Sequence, residues 1–235
     1  MNASVTAREL ARASLTAAIK DAARSQVAEE GAARLSFRAV AREVGMVSSA
    51  VYRYFPTRDD LLTALIVDAY DALGSAVERA VDAVPPERIR ARWRAFCGSV
   101  RNWAQGHPQE YGLIFGSPIP GYRAPADTIG PAARVPLALI DAVRLAWAAG
   151  TVDAPASDAN RLPGLLQGQL SAVAAEFAPD LPASVVLRMV VVWTQLFGMV
   201  SFELFGQLVG TLEPADEFFA AAVDLMADFL GIEEQ

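Results

Sequence analysis

Apolar positions recur along this chain at the spacing of one helix face, and nowhere with the sustained alternation of a strand. Leu15, Ile19, Ala23 and Val27 predict an alanine-rich helix over residues 15–30, ended by Gly31. Phe37, Val40, Ala41 and Val44 fall at i, i+3, i+4, i+7 and predict a short helix over 36–44, with the Ser36 hydroxyl as its cap. Gly45 ends it, since glycine enters the left-handed region without a Cβ penalty. Met46 and Val47 complete a tight turn. A second short helix is expected over 48–55, with Val51 and Phe55 inward and Pro56 as its stop. Ser48, Ser49, Tyr52 and Arg53 then lie on the outer face, with Tyr54 at its edge.

Beyond Pro56 the pattern stays helical. Leu61, Leu62, Leu65, Ile66, Ala69, Leu73 and Val77 predict a long helix over 58–84, capped by Thr57 and carrying Asp59 and Asp60 in its positive first turn. Pro85-Pro86 breaks the chain. The next helix, 87–106, buries Ile89, Trp93, Phe96, Cys97, Val100, Trp103 and Ala104. Arg88, Arg90, Arg92, Arg94 and Arg101 mark a solvated opposite face. A short helix over 108–115, a Pro/Gly loop over 116–131, a helix over 132–149 and a loop over 150–160 follow. Further helices are expected over 165–177, 182–208 and 214–230, the last two opened by prolines. The expected fold class is all-α.

Composition narrows the function. One cysteine, Cys97, excludes an internal disulfide framework and suits a reducing cytoplasm. One histidine and one cysteine exclude most metal sites and Cys-His dyads, and no glycine-rich phosphate loop follows a strand. The expectation is no enzyme, no metal and no cofactor. Residues 189–212 carry a single charge, Glu203, and approach the length of a membrane span. Gln195, Glu203 and Gln207 interrupt that stretch, so it is read as a buried helix and no membrane is expected. The net charge of −7 is unevenly placed: +3 up to Thr57 and −10 over the remainder. A basic head on an acidic body directs a polyanion to one end.

Two short helices joined by a glycine turn fit a DNA-reading helix-turn-helix, and equally a plain hairpin in a helical bundle. On the first reading, phenols donate to phosphates and Arg53 can bond guanine O6 and N7. The run G-M-V-S-S-A-V-Y-R-Y-F-P-T-R-D-D-L separates the two. It resembles the signature of the TetR family of one-component regulators, G-V-S-x-G-x-[LIV]-Y-x-[HY]-F-x-[SN]-K-x-x-L. Gly45, Val51, Tyr52, Tyr54, Phe55 and Leu61 match, as do Gly31, Ser36, Val40, Ala41 and Val44 upstream. Arg58 replaces the usual lysine. Val47 stands where a capping serine or threonine is common, so Ser48 is expected to cap, and Ser49 stands where glycine is common. His107, Pro108, Tyr111, Leu113, Phe115, Pro118, Pro120 and Tyr122, with W-x4-G-x4-E-L-x-G from Trp193 to Gly206, resemble one C-terminal subgroup.

The resemblance implies a flexible arm over 1–13, a three-helix DNA-binding head over 14–69 joined by the long fourth helix to a ligand-binding and dimerisation domain over 70–235, and a homodimer held by a four-helix bundle. The DNA contacts assigned on this basis are Ser36, Phe37, Arg38, Val47, Ser48, Ser49, Tyr52, Arg53, Tyr54 and Arg58. A small, largely apolar effector is expected against Trp93, Cys97, Trp103, Tyr111, Phe115, Trp147, Met189 and Trp193. Trp193, Gly198, Phe202, Phe205, Phe218 and Val223 are assigned to the dimer interface. The partners are double-stranded operator DNA, a second copy and the effector. The alternative is a helical small-molecule-binding protein that no longer reads an operator.

Overall fold

The computed structural model describes residues 6–152 and 162–233. Among them the chain is all α, with two 3-10 turns and no strand. It divides into two compact units, Met1–Ala72 with His107–Ala132, and Leu73–Gly106 with Ala133–Gln235. Segment 107–132, within the span 70–235 expected as the C-terminal domain, groups with the first unit. Most of the loop expected over 150–160 lies outside the described residues, as does the start of the expected arm.

In the first unit, α1 (Ala7–Glu30) takes in most of that arm. Thr6 and Glu9 form a reciprocal capping box: the Thr6 amide donates to Glu9 Oε2 at 2.7 Å and the Glu9 amide donates to Thr6 Oγ1 at 3.3 Å. Two orphan amides of the first turn are thereby satisfied, which extends the helix upstream of the apolar pattern. Leu15, expected on the inner face, is exposed, and Ile19, Ala22 and Ala23 make that face. These residues join Phe37, Val40 and Ala41 of α2 (Phe37–Glu43), Val51 of α3 (Ser48–Val51), Phe55, and Leu61, Leu62 and Leu65 of α4 (Arg58–Asp82) in one core. Lys20 and Arg24 of α1 both pair with Asp68 of α4, at 2.7 Å and 2.6 Å. Thr57 caps α4 as expected, its hydroxyl accepting from the Asp60 amide at 3.1 Å while its own amide donates to Asp60 Oδ2 at 2.8 Å.

Segment 107–132 joins this unit through α6 (Pro108–Phe115) and the proline-rich loop after it. Leu113, Ile119 and Tyr122 pack on the head core. Tyr122 Oη lies 2.9 Å from Thr63 Oγ1, and Tyr70 Oη donates to the Ile114 carbonyl at 3.4 Å. Those aromatic contacts account for the placement of a segment whose composition alone reads as a loose connection.

The second unit holds the C-terminal end of α4, α5 (Ile89–Gly106), α7 (Ile129–Ala148) from Ala133 on, α8 (Gly164–Phe177), α9 (Ala183–Leu204) and α10 (Asp216–Leu230). The expected apolar face of α5 is buried throughout. Its arginine face is not all solvated. Arg90 donates to Asp228 at 2.5 Å and to the Ile232 and Asp224 carbonyls at 2.8 and 3.1 Å. Arg101 donates to Glu203 of α9 at 2.7 and 2.6 Å and to Asp216 of α10 at 2.8 Å, with its guanidinium 4.8 Å from the centre of the Phe219 ring. Arginine can lie along a packed seam because its five donors form a fork that matches carboxylates and carbonyls. On α7, Arg134 pairs with Glu78 of α4 at 2.6 Å and bonds Ser75 at 2.9 Å. Gly74 makes this approach possible, since a Cβ there would lie 2.8 Å from the Arg134 guanidinium. Pro182 and Ala215 are the N-caps of α9 and α10, so the expected opening prolines stand at or just before the cap rather than inside the first turn. Helix α9 is long and apolar enough to cross a membrane by length and composition alone.

Candidate nucleic-acid interface and apolar cavity

The turn between α2 and α3 is a Schellman motif. The Met46 amide donates to the Ala41 carbonyl at 2.8 Å and the Gly45 amide to the Arg42 carbonyl at 3.3 Å, with Gly45 at φ 69°. Two last carbonyls of α2 are thus satisfied, and Met46 packs on the core as the hydrophobic partner this motif favours. Helix α3 is shorter than expected. Its regular part ends at Val51, and three-residue bonds follow, Arg53 to Ala50 at 3.2 Å and Tyr54 to Val51 at 2.9 Å. Pro56 disfavours helical backbone at Phe55, so the last turn tightens before the chain leaves. Val51 and Phe55 still point inward.

Several expected caps and contacts fall differently. Ser36 holds the N-cap position of α2, but its side chain makes no cap bond. Its amide donates to Gln26 Oε1 at 3.0 Å, and Gln26 Nε2 donates to the Arg34 carbonyl at 3.3 Å. A buried glutamine on α1 therefore holds this corner. Val47, not Ser48, is the N-cap of α3, and no side chain caps it. Phe37, assigned to the DNA surface, is buried. Its ring meets Tyr52 edge-on, with centroids 4.8 Å apart, and so supports a phenol that is 53% exposed. Tyr54 is half-buried against the core. Arg58 donates to the Ala32 carbonyl at 2.6 Å, which ties the start of α4 to the corner before α2.

Arg38, Val47, Ser49, Tyr52 and Arg53 remain exposed, with Ser48 half-buried. No carboxylate occurs between Val44 and Arg58. This surface is rich in hydrogen-bond donors, carries two guanidinium groups, and rests on a packed three-helix core. Such a surface is suited to phosphates and base edges.

The second unit contains a cavity of about 400 Å³ between α7, α8 and α9. Pro136, Leu137 and Ile140 of α7, Val173 and Phe177 of α8, and Val186, Met189, Val190 and Trp193 of α9 form most of its wall. Of the eight residues expected to line a ligand site, Met189 and Trp193 are there. The other six are placed elsewhere. Trp93 is 1% exposed and donates to the Val223 carbonyl at 2.8 Å. Cys97 is fully buried, which pushes its thiol pKa well up, and Trp103 is buried on the same helix, α5. Tyr111 and Phe115 belong to the first unit, and Trp147 is half-buried on α7 outside the cavity wall. Trp93, Phe96, Cys97 and Trp103 of α5 are buried, and α5 packs on α9 and α10. The signal that sequence reasoning misses is on α8, whose Leu165, Val173 and Phe177 are apolar yet exposed.

The assigned dimer positions also divide. Phe202 and Phe205 are 57% and 51% exposed. Gly198 is half-exposed, and a Cβ there would meet nothing within 4 Å. Phe218 is half-buried, and Trp193 stands on the cavity side. Val223 does not belong with them: it is turned into the unit, where its carbonyl receives the Trp93 indole. Leu225 and Phe229, not assigned from the sequence, are 67% and 48% exposed on the outer side of α10.

Residues 19–65 match the family model described as bacterial regulatory proteins, tetR family. The chain is 40% identical over 201 residues to the HTH-type transcriptional regulators Rv1816 of Mycobacterium tuberculosis and Mb1846 of Mycobacterium bovis, covering 85% of each chain. It is also similar to the crystal structure of a regulatory protein, SCO4313, with TM-score 0.77 and 34% identity over 96% of this chain and 100% of that one. The TetR family regulator PfmR from Thermus thermophilus shares the fold at TM-score 0.58 and 18% identity, over 88% of this chain and 96% of that one. Residues 93–226, more than half of the sequence, match the Tetracyclin repressor-like, C-terminal domain, and the chain belongs to the TetR family of DNA-binding transcriptional regulators.

Proposed function

We propose that the protein is a homodimeric repressor that leaves a near-palindromic operator when a small apolar effector enters the α7–α8–α9 cavity. The observation that carries the effector reading is a cavity walled by apolar side chains, in a different unit from the donor-rich helix-turn-helix surface. Release requires that the effector bind the two states of the regulator unequally. In this reading Ser48, Ser49 and Arg53 face bases, while Arg38 and Tyr52 hold phosphates. Arg58, bonded to Ala32, positions the corner before α2. The second copy covers the outer faces of α9 and α10, where Val191, Gly198, Phe202, Phe205, Leu225 and Phe229 leave apolar surface in solvent. That use also accounts for the membrane-like composition of α9, and the protein acts in the cytoplasm.

The test is fluorescence anisotropy on labelled DNA from upstream of the protein's own gene, against a scrambled duplex, at low and near-physiological salt. Retention of the native duplex alone at higher salt supports the reading. Equal, salt-sensitive binding to both duplexes counts against operator reading at that site. Replacing Arg53 with alanine weakens the specific complex by about 1–3 kcal/mol, roughly five- to 150-fold, and relaxes selectivity at one base position. An Arg53→Ala protein with unchanged selectivity would remove Arg53 from base readout.

A further inference from the structure

We infer that Gln26, a buried residue of α1 outside the surface assigned to DNA, is a positioning residue for the grip on DNA: its side-chain amide fixes where α2 begins, and through α2 where Arg38 stands. This rests on the reading of the helix-turn-helix as the DNA-binding surface and of Arg38 as one of its phosphate contacts.

The corner from Ala32 to Ser36 is held from outside. Its own backbone bonds are local: the Arg34 amide donates to the Gly31 carbonyl at 3.0 Å and the Leu35 amide to the Ala32 carbonyl at 3.3 Å. The ladder of α2 starts only beyond it, with the Val40 amide on the Ser36 carbonyl at 3.1 Å. Leu35 and Phe37 anchor the corner in the head core. Apolar burial is non-directional, so it holds those side chains in without fixing the rotation of the backbone between them. Hydrogen bonds are directional and do fix it. The bonds that reach the corner from other helices come from Gln26 of α1, to Ser36 and Arg34, and from Arg58 of α4, to Ala32.

Of these two braces, Gln26 is the nearer to α2. Its Oε1 accepts from the amide of Ser36, the N-cap residue, at 3.0 Å, and its Nε2 donates to the Arg34 carbonyl at 3.3 Å. A side-chain amide accepts at one end and donates at the other. Turned over, this one would set its nitrogen against an N–H and its oxygen against a carbonyl. Gln26 is 7% exposed, so leaving either bond unmade carries the cost of a buried polar group. The amide is thereby held in one orientation, and the backbone across Leu35 with it. Arg38 follows two residues beyond Ser36, with its side chain exposed. A phosphate contact needs its guanidinium at hydrogen-bond distance, and a shift of about an ångström at the start of α2 is enough to lose it.

Fluorescence anisotropy on the full-length protein tests this with the duplex from upstream of its own gene and the scrambled duplex. Gln26→Met keeps an unbranched side chain of similar length and removes both bonds, and Gln26→Leu is a second apolar replacement. Circular dichroism melts establish which variants are folded at the assay temperature. One that folds is then combined with Arg38→Ala in a double-mutant cycle. The expected result is a loss of affinity of about three- to tenfold per half-site in the Gln26 variant, the scale of one displaced hydrogen-bonded contact. The loss appears on both duplexes, because phosphates carry no sequence. The slope of log affinity against log salt becomes shallower by about one per half-site. Added to Arg38→Ala, the Gln26 replacement costs less than about twofold more, since both act on one contact. A variant that melts lower but keeps wild-type affinity and salt slope makes Gln26 a stability residue and overturns the inference, as does failure of both replacements to fold. Losses that add in the double variant overturn the route through Arg38. An Arg38→Ala protein with unchanged affinity and slope, or a wild type that binds neither duplex, overturns the reading on which the inference rests.

Discussion

Replacing Arg101 with alanine lowers the stability of the C-terminal unit by about 1–3 kcal/mol, between the ranges for exposed and fully buried ion pairs, because Glu203 keeps part of its hydration. The Arg101 side chain is 10% exposed and that of Glu203 is 19% exposed. The variant would leave the Glu203 carboxylate with Gln105 of α5, at 2.8 Å, as a neutral partner in place of a guanidinium. Asp216 is mostly in solvent and adds little. Denaturant unfolding at neutral pH measures the effect, and a loss below about 1 kcal/mol would show that the pair is in practice hydrated like a surface one. Acid should shrink the difference. The Arg101 guanidinium holds the Glu203 carboxyl below its ordinary value of 4.5, against the opposing effect of burial. Its contribution is complete above that ordinary value and disappears as the pH falls through the lower folded value. Wild type and Arg101→Ala therefore converge at the acid end. The double replacement Arg101→Met with Glu203→Leu recovers much of the loss, because it leaves no uncompensated charge.

Replacing Leu225 with glutamate dissociates the proposed dimer without unfolding the chain. Leu225 is 67% exposed, so a carboxylate there stays hydrated in the isolated protomer. In the dimer it would be pressed among Phe229 and the apolar residues of α9. The expected weakening is about a thousandfold, on the order of 4 kcal/mol, comparable with the loss of a strong interface residue. Light scattering coupled to size exclusion would then report one chain in place of two at micromolar concentration. Operator affinity falls with it, because two half-sites are no longer gripped by one particle. The melting temperature of the protomer stays close to that of the dissociated wild type. A Leu225→Glu protein that remains dimeric would place the interface elsewhere.

Local chemistry makes most of the head legible. Gly45 at φ 69°, Pro56 beyond α3 and the Thr57 cap of α4 act through neighbours a few residues away. Periodicity likewise recovers the inner faces of α4 and α5. The remainder depends on partners distant in sequence. Ser36 has the side chain of a cap, but its amide is held by Gln26 from another helix. Arg90 and Arg101 sit on the polar side of a helical stripe, and periodicity reads arginine as solvated. Their carboxylate partners lie more than a hundred residues away. Trp93 and Cys97 read as ligand contacts in the sequence because bulky residues suit both a pocket and a core. Only the packing of α5 on α9 and α10 separates those uses, and the cavity is walled instead by α7, α8 and α9. Val223 and Leu225, two residues apart on α10, are distinguished by the helical turn that buries one side chain and leaves the other in solvent.

In the proposed dimer, the exposed phenylalanines at the last two helices would also make the protein sensitive to dose. If only the dimer grips both half-sites, the DNA-competent species scales with the square of chain concentration while dimer is scarce. Halving synthesis then leaves about a quarter of the competent regulator by that mass-action relation. A gene under its control would switch over a narrow range of supply, without cooperative effector binding. On the proposed dimer, the steepness would reside in the apolar faces of α9 and α10, and substitutions there would retune the threshold without touching the helix-turn-helix surface or the α7–α8–α9 cavity.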